Sequence, residues 1–355
     1  MASVQTLIDA NAVHQISMQR LSTGQAKKVD PFLKAAQKYI RERLAKEPSN
    51  TVSAARLKKL LDDVNDNVKG IYTDWNKQLT IDLGDIAKME AEFQVDTINS
   101  VVFNVTLGAP ASDKIMATAR AMQLPIEARG TISLRKMLNQ FPVKETKRVV
   151  NALNIGLSAG ETTQVMSRQV NAIIGGLSRS NSFSLTKTAI SAVQSAAKDE
   201  TYKENDDVII GYRWVSTLDS STTNQCKALS DRVFLNSNKS EIKIMPPLHY
   251  GERSTTAPEI NGKYSFDDSA AKRPAIGADG VEQVSAKEDY YTFLRRQPAE
   301  FQNEAFNGNE MGKVFRNAGL TNAEFSKAAI DRFGNPLTLD EMAKKNKKIM
   351  DYLNR

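Results

Sequence analysis

A thiol and an imidazole that could meet are the first chemistry this sequence offers. Cys226 is the only cysteine, and His249, one of two histidines, follows it closely, flanked by Asp219 and Arg253. A cysteine beside a histidine can form a nucleophile pair, with the imidazole drawing off the thiol proton. The same two side chains could be half of a metal site. Against both stands a packing role. Cys226 would then be a small core residue on the inner face of a helix, Asp219 would cap that helix, and His249 would hold a loop by hydrogen bonds. No third group and no oxyanion element can be picked out by spacing, so the packing role is preferred. An enzyme or toxin domain using Cys226 and His249 is the alternative. Phosphate-loop, dinucleotide, HExxH, GxSxG and EF-hand patterns are all absent. Ser184 to Lys187 matches SxxK formally, but it stands at a helix start without companion motifs.

Composition narrows the field. The chain has 355 residues, 41% hydrophobic and 25% charged, long enough for about two domains and a core without staples. One cysteine excludes an internal disulfide and a multi-cysteine zinc module; His14 and His249 are too few for a multi-histidine centre. No run approaches the ~20 apolar residues of a membrane span. The opening MASVQTLIDANAVHQ has no basic segment leading into an apolar one. The expectation is a soluble protein made in a reducing cytosol, with no cofactor.

The net charge of +7 resides in residues 1–200, which hold 26 Lys and Arg against 19 Asp and Glu; residues 201–355 balance at 22 each. Such a surplus attracts phosphate backbones without reading sequence. Here it is thinly spread, with no arginine-rich arm, so DNA contact is expected to be non-specific and secondary. The lysines of the tail AKKNKKIMDYLNR suit a helix C-terminus without any partner.

The elements that must position the constellation come next. Asp30 before Pro31 reads as an N-cap with proline in the first turn. Leu33, Ala36, Ile40 and Leu44 continue it as one stripe, closed at Glu47 and Pro48. Leu57, Leu61, Val64, Val68, Ile71 and Trp75 then alternate steps of four and three. That 3.5-residue period suits a coiled-coil seam, which needs a partner helix from this chain or another copy. Gly70 and Gly84 are places where this helix could bend. A loop and a short helix begun by Ser112 or Asp113 fill 101–130. Residues 131–204 read as several helices, with a stop at Gly160 and a glycine-serine connector over 175–184. From 208 the pattern changes: Ile210, Tyr212 and Trp214 alternate as in a strand. A short helix follows with Thr222 and Gln225 at capping-box spacing, then a return strand at Val233 and Phe234. Residues 242–260 read as loop, then strand. Residues 261–286 look like a surface loop, and capping boxes at Thr321/Glu324 and Thr338/Glu341 open helices near the end.

Two stretches, GYRWVSTLDSSTTNQCKALSDRVF and PPLHYGERSTTAPEI, together resemble the Mu F-like minor head proteins of tailed phages. That family has an aromatic strand ending in aspartate, then Arg-Thr-Cys-x-x-Cys or Arg-Thr-Ser-x-x-Cys. A downstream Pro-Pro-x-His-x-x-Cys-Arg-[Cys/Ser] completes the pattern. Trp214, Asp219, Thr222, Cys226, Phe234, Pro246, Pro247, His249, Arg253 and Ser254 fall on it. The lead-in helices and the segment from Tyr290 to Met342 are also similar, so the resemblance spans about residues 145–345. Ser221, Thr223 and Glu252 depart from it, standing where relatives carry arginine or cysteine. If relatives bind a metal there, this chain keeps only Cys226 and His249 of the set, and a closed structural site wants four ligands; Asp219 or Glu252 could in principle complete it, but a mixed set of that kind is not expected. The resemblance therefore implies a metal-free module held by Asp219, His249 and Arg253.

The expected fold class is α+β, in five parts. A long-helical region (1–130) and a helical lead-in (131–206) precede a small mixed α/β Mu F-like core (207–260). A surface loop (261–286) and a helical C-terminal extension (287–355) follow. The resemblance implies a structural virion protein, present in several copies or as a homo-oligomer. Its partners would be the portal, other capsid proteins and packaged double-stranded DNA. Its place would be the capsid interior or portal region, and its role head morphogenesis or DNA packaging, with a route out alongside the genome.

Overall fold

The computed structural model describes residues 4–47, 54–127, 130–264 and 271–354. Helix α1 (Val4–Lys27) lies within the expected long-helical region, though no pattern singles it out as an element. Its inward positions explain why: Asn11, Gln15 and Ser22 are buried along with Leu7, Ile8, Met18 and Ala26, so three of these seven positions are polar. Helix α2 (Asp30–Ala45) buries Leu33, Ala36, Ile40 and Leu44 as expected, but Asp30 does not cap it. Val29, itself in a helical conformation, is the N-cap. Asp30 instead takes a fork of hydrogen bonds from Arg179, at 2.7 and 3.1 Å. Pro48 lies outside the described residues.

Helix α3 (Ala54–Asn99) runs unbroken for 46 residues, about 70 Å at 1.5 Å per residue. Gly70 has open space where a Cβ would stand, and Gly84 lends its carbonyl to Ser112. The inward stripe is Leu60, Val64, Val68, Tyr72, Trp75, Leu79, Leu83 and Ile86. Its steps average close to the 3.6 of a straight helix rather than the 3.5 of a supercoil. Of the six predicted seam residues, Val64, Val68 and Trp75 lie on this stripe, whereas Leu57, Leu61 and Ile71 flank it half-buried. The helices that cover α3 come from the same chain: α2, α4 (Ser112–Ala121), α5 (Leu134–Ser158) and α7 (Arg179–Glu204). Trp75 meets Phe141 of α5 with ring centroids 5.0 Å apart.

Strand β1 (Gln123–Glu127) pairs antiparallel with β2 (Gly130–Ser133), where the sequence pattern starts a helix at Thr131. Ser133 then caps α5, accepting from the amide of Lys136. Two predicted helices are one here, because α5 continues through Pro142. Proline removes the donor that the Leu138 carbonyl would receive, and Asn76 Nδ2 supplies it at 3.0 Å. Gly160, at φ +69°, ends the turn after α5 as expected. Helix α6 (Thr163–Ala172) leads through a wide π turn (Ile173–Ser178) directly into α7. The expected connector over 175–184 is therefore helical. The Ser182 hydroxyl bonds back to the Ser178 carbonyl, and just beyond the stretch Thr186 bonds back to that of Ser182. Polar residues so satisfied can stay in a buried helix.

The chain then builds an antiparallel sheet in the order β4-β3-β5, from β3 (Ile209–Val215), β4 (Val233–Leu235) and β5 (Thr255–Ile260). Helix α8 (Asn224–Leu229) lies between β3 and β4 in sequence. The central strand approaches β4 so closely at Gly211 that a Cβ there would stand 2.4 Å from the Phe234 carbonyl. Part of the expected surface loop is a hairpin, β6 (Lys272–Gly277) with β7 (Gly280–Ser285). Its Arg273 is buried and donates to the carbonyls of Ser216 and Glu288. Residues 265–270 lie outside the described residues. Six short helices close the chain: α9 (Tyr290–Arg295), α10 (Ala299–Ala305), α11 (Asn309–Asn317), α12 (Asn322–Ala329), α13 (Leu339–Lys345) and α14 (Lys347–Leu353). Both predicted capping boxes open helices here, α12 and α13. The architecture is α+β, with two large hydrophobic cores and, among the described residues, a small third cluster of Ile8, Val215, Ala257 and Ala286. One large core fills the helical bundle around Trp75; the other joins the sheet, Trp214 and the aromatic cluster Tyr291, Phe306, Phe315 and Phe325.

Candidate functional site

The end of β3, the start of α8 and the loop before β5 converge on one corner. Thr223, not Thr222, caps α8, its hydroxyl accepting from the Cys226 amide at 3.4 Å. Thr222 turns inward and donates to the Thr217 carbonyl at 2.6 Å and to Asp219 at 3.1 Å. Asp219, expected as the cap, takes both arms of the Arg253 guanidinium instead; the Nη2–Oδ1 distance is 2.9 Å. Its carbonyl accepts from Tyr290 Oη at 2.7 Å, so one residue ties the loop, the sheet end and α9 together. Burial works against the Arg253 charge, but Asp219 outweighs it and holds the guanidinium above its ordinary pKa. Asp219→Ala should destabilise the protein by about 2 kcal/mol, because it leaves a half-buried cation unpaired. Urea unfolding reads this directly; a loss below about 0.5 kcal/mol, typical of exposed pairs, would reduce the pair to surface decoration.

Trp214 and Phe234 belong to the second core, and Phe234 stacks on Tyr212 with centroids 5.1 Å apart. Pro246 and Pro247, joined by a cis peptide bond, are buried and begin the loop that carries His249. Ser254 is buried too, and its amide reaches Glu252.

Cys226 and His249 do meet. Cys226 Sγ lies 3.5 Å from His249 Nε2, with Thr223 Oγ1 at 3.1 Å from the sulfur and 3.2 Å from the nitrogen. The group that sequence reasoning set aside is Glu252. Its Oε2 sits 3.1 Å from both Sγ and Nε2. The signal was present as two equal spacings, Thr223-x-x-Cys226 and His249-x-x-Glu252. Burial, then the Glu252 carboxylate, push the Cys226 thiol well above its ordinary pKa. With 1% of its surface exposed, this sulfur has the environment of an inert thiol rather than of a nucleophile, which wants electropositive, open surroundings.

A second cluster escaped the sequence entirely. Lys198 of α7 and Glu90 of α3 are both fully buried between the two cores, with His14 and Asn11 of α1 beside them. No spacing in the sequence joins residues so far apart.

Comparison with known proteins now decides the family question for this corner. Residues 147–257 match the family model described as Phage Mu protein F like protein. That segment is Mu F-like. It runs from within α5 to β5 and contains Trp214, Asp219, Cys226, His249 and Arg253; the segment from Tyr290 onward lies outside the match. The family points to phage head morphogenesis and to a structural character. No curated protein and no solved structure matches the chain. Among the described residues no helix is long and apolar enough to cross a membrane.

Proposed function

We propose that the chain is a structural minor head protein of a tailed phage, working at the portal or inner capsid face during head morphogenesis or DNA packaging. The observation that carries this reading is the Mu F-like match over 147–257. It coincides with the strand-helix-loop corner clasped by Asp219 and Arg253. The five-part division of the chain belongs to the same proposal. Its helical first half, which holds the whole charge excess, faces packaged DNA and contacts it without sequence preference. Portal and capsid proteins are the partners, and several copies share a virion.

Quantitative mass spectrometry of purified particles, before and after triggered DNA release, tests the reading. A few to a few tens of copies per full particle is the expected result. Copies lost from emptied particles make it an ejected protein; copies retained make it a fixed part of the portal region. Absence from full particles would overturn the virion assignment.

A further inference from the structure

We propose that Cys226 Sγ, His249 Nε2 and Glu252 Oε2 hold a divalent transition-metal ion, zinc by their ligand chemistry, with the fourth corner facing Thr223 Oγ1 and solvent. The inference rests on local geometry and stands whether or not the protein works at the portal. A tetrahedral zinc ion, with sulfur at ~2.3 Å and nitrogen or oxygen at ~2.0–2.2 Å, sets its ligand atoms roughly 3.3–3.6 Å apart. The sulfur, nitrogen and oxygen here are 3.5, 3.1 and 3.1 Å from one another, and all three residues lie within 4.8 Å. Opening two of those edges by a few tenths of an ångström accommodates the ion.

The supporting shell points the same way. His249 Nδ1 lies 3.0 Å from the Tyr250 carbonyl. A carbonyl can only accept, so Nδ1 carries a proton, which leaves Nε2 as the ring nitrogen that can offer a lone pair to the centre. Glu252 Oε1 is occupied by the amides of Arg253 at 3.0 Å and Ser254 at 2.8 Å, which leaves Oε2 free for the same point. Without an ion, the neutral imidazole leaves Nε2 and Oε2 as two acceptors 3.1 Å apart, served only by the Cys226 thiol and the Thr223 hydroxyl, 3.2 Å from Nε2. A cation at the centre satisfies all of them.

Binding would transfer the Cys226 proton to solvent and form the metal–thiolate bond. Thiolate and carboxylate then balance the two positive charges inside a largely buried corner. Access comes from the side of Thr223 and His249, the more exposed members of the set. The ion would tie the first turn of α8 to the loop that leads into β5, the two pieces of chain that the Asp219–Arg253 pair also joins. The expectation of a metal-free module counted two ligands; Glu252 is the third, and a three-ligand site with an open corner is a common zinc arrangement.

The test uses the full chain, purified without chelators. Metal analysis is expected to find about one zinc per chain. After stripping, titration with cobalt chloride should develop thiolate-to-cobalt charge-transfer absorption. Cys226→Ser and Glu252→Gln should each weaken zinc binding by at least about a hundredfold. Glu252→Cys, which installs a softer ligand, should tighten it and keeps the test decisive if a loss variant fails to fold. The proposal is overturned if folded wild-type protein takes up neither zinc nor cobalt. It is equally overturned if Glu252→Cys binds no better than wild type, or if His249 titrates identically with and without zinc. That last result would identify the cluster as an imidazolium–carboxylate pair.

Discussion

Replacing Glu90 with alanine should cost about 3–5 kcal/mol of folding stability, as removal of one partner from a buried pair does. Glu90 has no exposed surface and accepts hydrogen bonds from His14 Nε2 at 2.8 Å, Gln94 Nε2 at 2.9 Å and Gln194 Nε2 at 3.1 Å. Lys198 Nζ stands 3.9 Å away and donates to Asn11 Oδ1, Thr255 Oγ1 and the Thr256 carbonyl. The imidazole of His14 also stacks on Phe93, centroids 3.6 Å apart. Burial alone would raise the Glu90 pKa, but His14 and Lys198 reverse that, and the carboxyl titrates below its ordinary range. Lys198, drawn down to about 8 by burial and partly restored by Glu90, remains charged at neutral pH. Alanine at 90 therefore strands a cation in the interior and leaves three donors unmet.

The network lies where α1, α3, α7 and β5 meet, between the two cores, so its loss should also loosen their coupling. Trp75 and Trp214 report on the cores separately. Urea unfolding of Glu90→Ala, followed by fluorescence, should show a lower midpoint and, in single-tryptophan backgrounds, two non-coincident transitions. The double variant Glu90→Leu/Lys198→Met should recover the share of the loss that comes from the stranded cation, while the donors of His14, Gln94 and Gln194 stay unmet. An alanine variant within about 1 kcal/mol of wild type would mean that the pair contributes nothing beyond packing.

What the sequence made legible follows from the kind of signal each element gives. Apolar stripes at helical spacing located α2 and α3, and β-branched alternation located β3. Thr321 and Thr338 marked helix starts because capping boxes are local. The failures share a different cause. α1 hides its inward face behind Asn11, Gln15 and Ser22, whose partners lie far along the chain. The 175–184 stretch reads as a connector on composition, yet it is helical, and its buried Ser182 hydroxyl is satisfied locally by the Ser178 carbonyl. The β6–β7 hairpin hides behind a charged inward residue, Arg273, which is buried and donates to carbonyls from two other segments. At the candidate site, Cys226, His249, Asp219 and Arg253 were visible as residue types. The Cys226–His249 pairing was legible from their types, but Asp219 was assigned to a cap that Thr223 occupies, and Glu252 was weighed as a completing ligand and set aside.

Lys227 alone should raise stability by about 3 kcal/mol between pH 7 and 9.5. Its ammonium is buried against the Ala305 carbonyl, Asn224 Oδ1 at 3.1 Å and the rings of Tyr290 and Phe306 at 5.5 and 5.2 Å. No carboxylate forms an ion pair with it among the described residues. Burial pulls its pKa down to about 7, with Asp219 and Cys226 opposing only in part. An unfolded lysine titrates near 10.4. Between those values the unfolded chain binds more protons than the folded one, so stability increases with pH at roughly 1.4 kcal/mol per unit. The gain ends near pH 10. There unfolded tyrosines ionise, while burial holds Tyr212, Tyr290 and Tyr291 above their ordinary range in the folded state. Lys198, drawn to about 8, adds a further rise of the same sign. The informative quantity is therefore the difference between wild type and Lys227→Met, measured by urea unfolding across this range. The methionine variant should match or exceed wild type at pH 7, where it no longer buries a charge, and fall behind at pH 9.5. Parallel profiles would place the Lys227 pKa near its ordinary value and its charge in contact with water.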